Sequence, residues 1–116
     1  YATAGGRALL ATCSPEAVKA YLKRVRPQAW TSHTTTTTKE LLAAIDAARE
    51  TGFAQTVDQA AEGVTGTAAV IRDAAGSVMG ALVVAAPTAR TSERLPEVAQ
   101  MVQAEAAAIS RSLGFR

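Results

Sequence analysis

The residues with reactive side chains are few in this sequence, and their spacing does not assemble a catalytic site. His33 is the only histidine and Cys13 the only cysteine, whereas a Cys–His nucleophilic pair needs both groups in one site with a third group to orient them. Asp58 and Glu62 are four residues apart, but the stretch between them is not clearly helical, so a solvated connector is favoured over acid–base work. No clustered set of ligands indicates zinc, and no glycine-rich phosphate loop is present. The sequence therefore predicts neither an enzyme nor a metal or cofactor site.

Length and composition set broad limits on the class of protein. A chain of 116 residues is one domain or part of one, and its net charge of +2 is too small to argue for nucleic acid. A single cysteine excludes an internal disulfide, so a cytoplasmic setting is the simplest. No apolar run approaches the roughly 18 residues of a membrane span. The start, YATAGGRALLA, has no signal-peptide pattern and no initiator Met, so we expect the natural start to lie upstream.

The local signals predict three helices, a strand, a hairpin and a last helix. Thr3, Ser14 and Thr37 are suitable N-caps, and Thr37 with Glu40 makes a capping box. This order lacks a strict strand–helix–strand alternation, so the sequence predicts an α+β fold with an antiparallel sheet and helices laid on it. The predicted bounds are a first helix to about Thr12, a second from Pro15, a third from Thr38 to Thr51, a strand over Phe53–Asp58, and a last helix from Thr91 or Ser92 to Gly114.

The stretch Gly63–Pro87 organises the predicted sheet. Two apolar runs, Thr65–Ile71 and Ser77–Ala86, flank the turn Asp73–Gly76, whose glycine can take the positive φ that a short hairpin loop requires. Neither run has a clean polar face, so both are predicted to be central strands covered on both sides. Small residues recur within them, which permits either the close approach of a helix or room for a ligand.

Two glycines in the first turn of the first helix also have two interpretations. Gly5 and Gly6 each cost about 1 kcal/mol relative to alanine in a helix interior. They suit either a tight approach of the helix to the sheet or a bare helix N-terminus whose N–H groups face an anion or a carbonyl. The sequence leaves both open.

Three segments, in this order, resemble one known family. They are TAGGRALLA, then KELLAAIDAARETGFA after a threonine-rich stretch, and then EGVTGTAAVIRDAAGSVMGALVVAAPTARTSERL. Together they are similar to the C-terminal effector-binding domain of IclR-type transcriptional regulators, over nearly the whole chain. The closing LPEVAQMVQAEAAAISRSLGF is similar to the last helix of that family.

The resemblance implies a GAF-like fold with a curved antiparallel sheet, helices on its faces and a ligand pocket at one side. It implies a bacterial regulator whose small organic or aromatic acid effector alters DNA binding, and which assembles as a homo-dimer or tetramer without a membrane. DNA would be bound by a winged helix-turn-helix domain that is absent from this chain. The resemblance further implies that residues 1–116 are the C-terminal portion of the effector domain, with a sheet incomplete on its N-terminal side.

Carried over by position, the resemblance also implies which residues line the pocket. Acid-binding members of the family have an acidic side chain, a Cys or Ser, and hydroxyls where this chain has Thr56, Gly66, and the pair Val83 and Ala85. The pocket is therefore expected to be roomier and more apolar, which favours an effector bulkier than pyruvate. The implied lining residues are Ala4, Gly5, Thr56, Val64, Gly66, Val83 and Ala85.

Two other functions stay open from the sequence. The chain could be a protein-interaction or dimerisation module that has lost its ligand, with Ala and Val side chains filling the pocket. It could also be a fragment of a cytosolic enzyme with a GAF-like fold, which would require a clustered nucleophile or metal-ligand set.

Overall fold

Five helices and three strands make up the fold, and the computed structural model describes residues 1–116. The predicted α+β class with an antiparallel sheet is confirmed. In chain order the elements are α1 (Ala4–Leu10), α2 (Pro15–Val25), α3 (Thr38–Thr51), β1 (Ala54–Val57), β2 (Val64–Arg72), β3 (Val78–Pro87), α4 (Thr88–Thr91) and α5 (Leu95–Ser112).

The helix starts follow the predicted caps. The side chains of Thr3, Ser14 and Thr37 accept hydrogen bonds from the backbone N–H groups three residues onward, at 3.0, 3.1 and 3.3 Å. An N-cap of this type contributes about 1 kcal/mol to helix stability. Helix α3 ends as predicted, with Gly52 in the left-handed conformation at φ 86°.

The last helix begins later than predicted. Residues 88–91 form the separate short helix α4, and α5 starts at Leu95 rather than at Thr91 or Ser92. Pro96 supplies the physical reason, because it has no N–H to donate to the carbonyl of Ser92 and so a continuous helix cannot run through this point. Its fixed φ instead suits the first turn of α5.

The sheet has the strand order β1-β2-β3 with both pairs antiparallel. The predicted hairpin turn is confirmed: Gly76 has φ 80°, and its N–H donates to the carbonyl of Asp73 at 3.0 Å. The Asp73 carboxylate accepts from the N–H groups of Ala75 and Ser77, each at 3.0 Å. This turn fixes the register of β2 against β3.

Helices cover both faces of β2. On one face, Ala4 and Ala8 of α1 pack with Ala54 and Ala68 of the sheet. On the opposite face, Ala69 packs against α5 through Val102 and Ala106. Helices α2 and α3 form a further cluster around Leu22 and Leu41. The small side chains let the helices lie close to the sheet.

The prediction that both hairpin strands are covered on both sides is right for the middle of β2 and wrong for β3. Residues 67–69 are buried, but much of β3 is open to solvent, including Met79, Val83, Val84 and Ala85. The physical reason is position, since β3 is an edge strand and the helices lie mainly over β2. None of the five helices is long and apolar enough to cross a membrane.

Candidate functional site

Five of the seven residues proposed to line a pocket lie on one face of the sheet. Thr56 pairs with Gly66, and Gly66 pairs with Ala85, so these three form one row across the strands. Val64 and Val83 are each two residues along a strand from a member of this row and therefore point to the same side. The antiparallel register brings together residues that are up to 29 positions apart, from Thr56 to Ala85.

The other two residues, Ala4 and Gly5, belong to α1, which lies on this same face. A Cβ atom built on Gly66 would lie 3.2 Å from the Cβ of Ala4, and one built on Gly5 would lie 3.1 Å from Cγ2 of Val83. Both distances are shorter than ordinary van der Waals contact. The two glycines therefore allow α1 to approach the sheet closely, and the tight-approach interpretation applies at both positions.

The N-terminus of α1 is not bare. The N–H of Gly6 donates to Oγ1 of Thr3 at 3.0 Å, which is the N-cap hydrogen bond of this helix. The interpretation of a bare helix N-terminus, which the sequence left open, is therefore wrong at Gly6, because the threonine hydroxyl already accepts from its N–H.

The sheet row is an apolar surface with a single hydroxyl. Val83 is 47% exposed and Val64 is 40% exposed, so both present methyl groups to solvent at this end of the sheet. Thr56 is only 4% exposed, and its hydroxyl forms no hydrogen bond within the chain. None of the seven residues is charged. The row can contact the apolar part of a ligand and offer one donor and acceptor.

An aromatic cavity beside the start of α1 was not found from the sequence. Its volume is about 330 Å³, and Trp30, which helps to line it, is 64% exposed. The Tyr1 hydroxyl accepts from the indole N–H of Trp30 at 3.1 Å and from the N–H of Gln28 at 2.9 Å. No periodic signal links these positions, because the tertiary fold brings a loop against α1. The lining residues are Tyr1, Ala2, Thr3, Tyr21, Trp30 and Ala60.

The threonine-rich loop is attached to the connector between β1 and β2. The hydroxyl of Thr31 donates to the carbonyl of Asp58, and the hydroxyl of Thr34 donates to the carbonyl of Gln59. The N–H of Thr35 donates to the side-chain Oε1 of Gln59 at 3.1 Å. The threonine-rich loop is thus packed into the fold, because its hydroxyl side chains and one N–H bond to the neighbouring connector.

Arg7 is a second feature that the sequence analysis missed. It lies on the buried face of α1, and only 4% of its surface is exposed. Its Nε donates to the carbonyl of Tyr1 at 2.7 Å, and its Nη2 donates to Oε1 of Gln59. Burial lowers the pKa of this guanidinium, because desolvation disfavours the charged form. The motif TAGGRALLA gave no sign that its arginine points inward, except that Arg7 follows Ala4 by one helical turn.

The residues with reactive side chains have structural or solvent-exposed positions. Cys13 is exposed, and His33 lies in the exposed loop after α2. Asp58 accepts hydrogen bonds from the N–H of Gly63 at 3.1 Å and the hydroxyl of Thr88 at 2.6 Å, which ties the β1–β2 connector to the end of β3. No group of three or more His, Cys, Asp or Glu side chains is placed to hold a metal ion.

Comparison with known families identifies the chain. The family described as "Bacterial transcriptional regulator IclR C-terminal" matches residues 1–111. The chain belongs to this family. Its sequence is 35% identical over 116 residues to the HTH-type transcriptional regulator KdgR of Escherichia coli. This alignment covers 99% of this chain and 44% of KdgR. The relatives are transcriptional regulators and not enzymes, so the prediction of no enzymatic activity is confirmed.

Solved structures show the same fold. The C-terminal domain of E. coli KdgR matches with a TM-score of 0.86 and 34% identity, over 99% of this chain and 71% of that one. The transcriptional regulator RHA06195 of Rhodococcus sp. RHA1 matches with a TM-score of 0.89 and 35% identity, over 97% of this chain and 47% of that one. The inducer-binding domain of PobR from Acinetobacter, solved with 3-hydroxybenzoic acid, has a TM-score of 0.85 over 94% of this chain and 65% of that one. Its 22% identity shows the fold alone.

The chain spans less than half the length of the curated relatives that it matches, 44% of KdgR from E. coli and 38% of KdgR from Dickeya chrysanthemi.

Proposed function

We propose that residues 1–116 form the effector-binding and oligomerisation portion of a bacterial IclR-type transcriptional regulator that works in the cytoplasm. A small metabolite bound to this domain would change operator binding by a winged helix-turn-helix domain outside this chain. Membership of the IclR C-terminal family supports the role in regulation. The fold shared with an inducer-binding domain is consistent with a ligand-binding role.

The proposed effector site is the face of the sheet at the start of α1. The observation that carries this assignment is the row formed by Thr56, Gly66 and Ala85, since positions suggested independently by the family resemblance are direct cross-strand neighbours. Val64 and Val83 lie beside this row on the same face of the sheet, and Ala4 and Gly5 of α1 pack against that face. Val83 and Ala85 are exposed, so a ligand can reach this end without unfolding the core.

The ligand proposed for this site is a small organic or aromatic acid larger than pyruvate. The row presents methyl groups and the hydroxyl of Thr56, and it lacks the charged group that would hold a very small polar acid. An aromatic or branched ligand would bury its apolar part against Val64 and Val83. Burial of apolar surface contributes roughly 25 cal/mol per Å², so a larger ligand gains more from this surface.

A pair of neighbouring valines gives a matched test. Val83 lies on the α1 face and Val84 on the opposite face, and their exposed fractions are similar, 47% and 40%. Calorimetric titration with 3-hydroxybenzoate and with pyruvate should show tighter binding of 3-hydroxybenzoate to the unmodified chain. Val83→Asp should weaken that binding by roughly tenfold or more through apolar loss and charge repulsion, whereas Val84→Asp should leave it within about twofold. Equal losses in the two variants would reject the site.

One observation favours the alternative of an interaction module without a ligand. Ala4 already occupies the space in front of Gly66, so this part of the row is filled by the protein itself. In that case no acid in a thermal-shift screen would raise the melting temperature, whereas a ligand that binds only the folded state must raise it.

A further inference from the structure

We propose that Arg7 is the anchor of a second anion site, which binds the carboxylate of a small organic acid in the cavity between α1, α3 and the outer edge of β1. This inference does not depend on the proposed effector site, because none of the seven residues of that site lines this cavity. The cavity is lined by Arg7, Ala44, Ala47, Ala48, Thr51, Phe53, Ala54 and Gln55.

Arg7 carries a charge that no other group of the chain balances. An arginine that is only 4% exposed normally has a carboxylate partner, because an unpaired buried charge is costly. The two ion pairs of the chain are Arg49–Asp46 and Arg94–Glu97, so no carboxylate lies within salt-bridge distance of Arg7. Its acceptors are both neutral, the carbonyl of Tyr1 and the side chain of Gln59. Arg7 is therefore buried without a counter-charge in this chain.

Arg7 also has N–H donors that the chain does not use. An arginine carries five N–H donors in a planar fork that matches a carboxylate, and Arg7 gives one from Nε and one from Nη2 to the protein. No buried side-chain nitrogen or oxygen of the chain is both inaccessible and without a partner. Nη1 of Arg7 makes no hydrogen bond within the chain and is therefore not sealed off from solvent, and Arg7 is one of the residues that line this cavity.

The outer edge of β1 is free of any neighbouring strand. The N–H of Asp58 donates to the carbonyl of Val64 across the sheet, so Thr56 and Ala54 take the following ladder bonds and the backbone groups of Gln55 point the other way. Since β1 is an edge strand, no strand of this chain accepts from the N–H of Gln55. Gln55 and Arg7 line the same cavity, and in the proposed site this N–H is the second donor to the carboxylate.

The size of the cavity limits the ligand. Its volume is about 250 Å³, below the roughly 300–1,000 Å³ of sites for drug-sized ligands and well above the roughly 30 Å³ of one water molecule. The remaining walls are largely alanine side chains of α3, which suit a short alkyl chain. The chemistry is thus that of a short-chain monocarboxylate with its charge at Arg7.

Propionate and its neutral analogue propionamide test this site on the 116-residue chain by NMR. We expect propionate to shift the resonances of the Arg7 side chain and of the backbone N–H of Gln55 in a saturable way. Propionamide should give no such shift. Arg7→Met should weaken propionate binding by roughly tenfold or more, which is the usual range for a hydrogen bond to a charged group. Arg90→Met, at an exposed arginine of α4, is the control and should leave it unchanged.

A second variant keeps the test decisive if Arg7→Met does not fold. Gln59→Glu retains an acceptor for Nη2 of Arg7 and supplies an internal carboxylate, so it should compete with propionate and reduce its affinity by a similar factor. Gln100→Glu, on the exposed side of α5, is its control. Non-saturable shifts with the unmodified chain, or undiminished binding in Gln59→Glu, would overturn the proposal. Because Val83→Asp does not touch this cavity, its effect on 3-hydroxybenzoate distinguishes failure of the effector site from failure of the Arg7 site.

Discussion

The Cβ atom of Ala4 lies 3.2 Å from the place where a Cβ on Gly66 would begin, so α1 rests on a gap in β2 that only glycine leaves open. Thr56 closes the same gap from the neighbouring strand, with Oγ1 at 3.4 Å. The contact joins the start of α1 to the centre of the sheet. It also links the proposed effector site to the packing of the core, because any change at Gly66 must move α1.

The first prediction follows from this contact. Gly66→Ala should lower the free energy of unfolding by about 1–3 kcal/mol, because the added methyl group overpacks a filled position. Urea denaturation followed by circular dichroism measures this change. A Leu at position 66 would require a larger displacement of Ala4 and is expected to prevent stable folding.

Gly80 is the matched control for this substitution. It also lies in a strand, but no atom is within 4 Å of a Cβ built on it. Gly80→Ala should therefore keep or raise stability, by about 0.5 kcal/mol, since alanine loses less backbone entropy than glycine on folding. If the two alanine variants were equally stable, the close approach of α1 would not be a determinant of the fold.

The second prediction concerns the cap of α3. Thr37→Ala removes the hydroxyl that accepts from the N–H of Glu40 and should cost about 1 kcal/mol of stability. Thr36→Ala is the control, because the Thr36 hydroxyl forms no hydrogen bond within the chain. Equal midpoints for the two variants in urea denaturation would show that the cap contributes little.

Much of the fold is predictable from the sequence because its determinants are local. The caps at Thr3 and Thr37, the left-handed Gly52 and the turn at Gly76 each depend on residues within one helical or hairpin turn. The family resemblance added the long-range part, since nothing local indicates that Thr56 and Ala85 share a row.

Burial and cavities were less predictable because they depend on which surfaces meet. The apolar composition of β3, which has no polar face, does not show that this strand is at an edge, so its exposure was missed. Arg7 was missed for a related reason: a charged residue in an apolar motif is usually placed on the solvent side, and here Gln59, far away in sequence, supplies an acceptor in the interior. The aromatic cavity at Trp30 depends on the path of a loop without periodicity.

The third prediction concerns nucleic acid. With a net charge of +2, residues 1–116 should bind a DNA duplex weakly and without sequence preference, and this binding should disappear as salt rises to about 150 mM, since few phosphate contacts are available. Fluorescence anisotropy at several salt concentrations measures it. Retention of affinity for one sequence at physiological salt would contradict the proposal that DNA is read by a domain outside this chain.

The last prediction concerns self-association through the open edge of β3. The N–H of Thr88 donates to the carbonyl of Gly63, so the alternating ladder leaves the backbone groups of Val83 and Ala85 pointing away from β2. Neither position holds a Lys or Pro, the residues that commonly prevent an edge strand from pairing, and unpaired edges of this type pair readily with another chain. On α5, Val102 is already covered by the sheet, which leaves β3 as the stronger candidate for the interface.

We therefore expect light scattering at tens of micromolar to show at least a dimer of the 11.9 kDa chain. Ala85→Pro removes only an outward N–H and should shift the chain towards monomer while it stays folded, because proline is tolerated on the free side of an edge strand. Val84→Pro removes an N–H that bonds β2 and should cost about 3 kcal/mol or more by analogy with proline in a helix interior, so it tests the ladder assignment itself. A folded monomer for the unmodified chain would refute the edge as an interface, and an unchanged dimer in Ala85→Pro would place the interface elsewhere on the molecule.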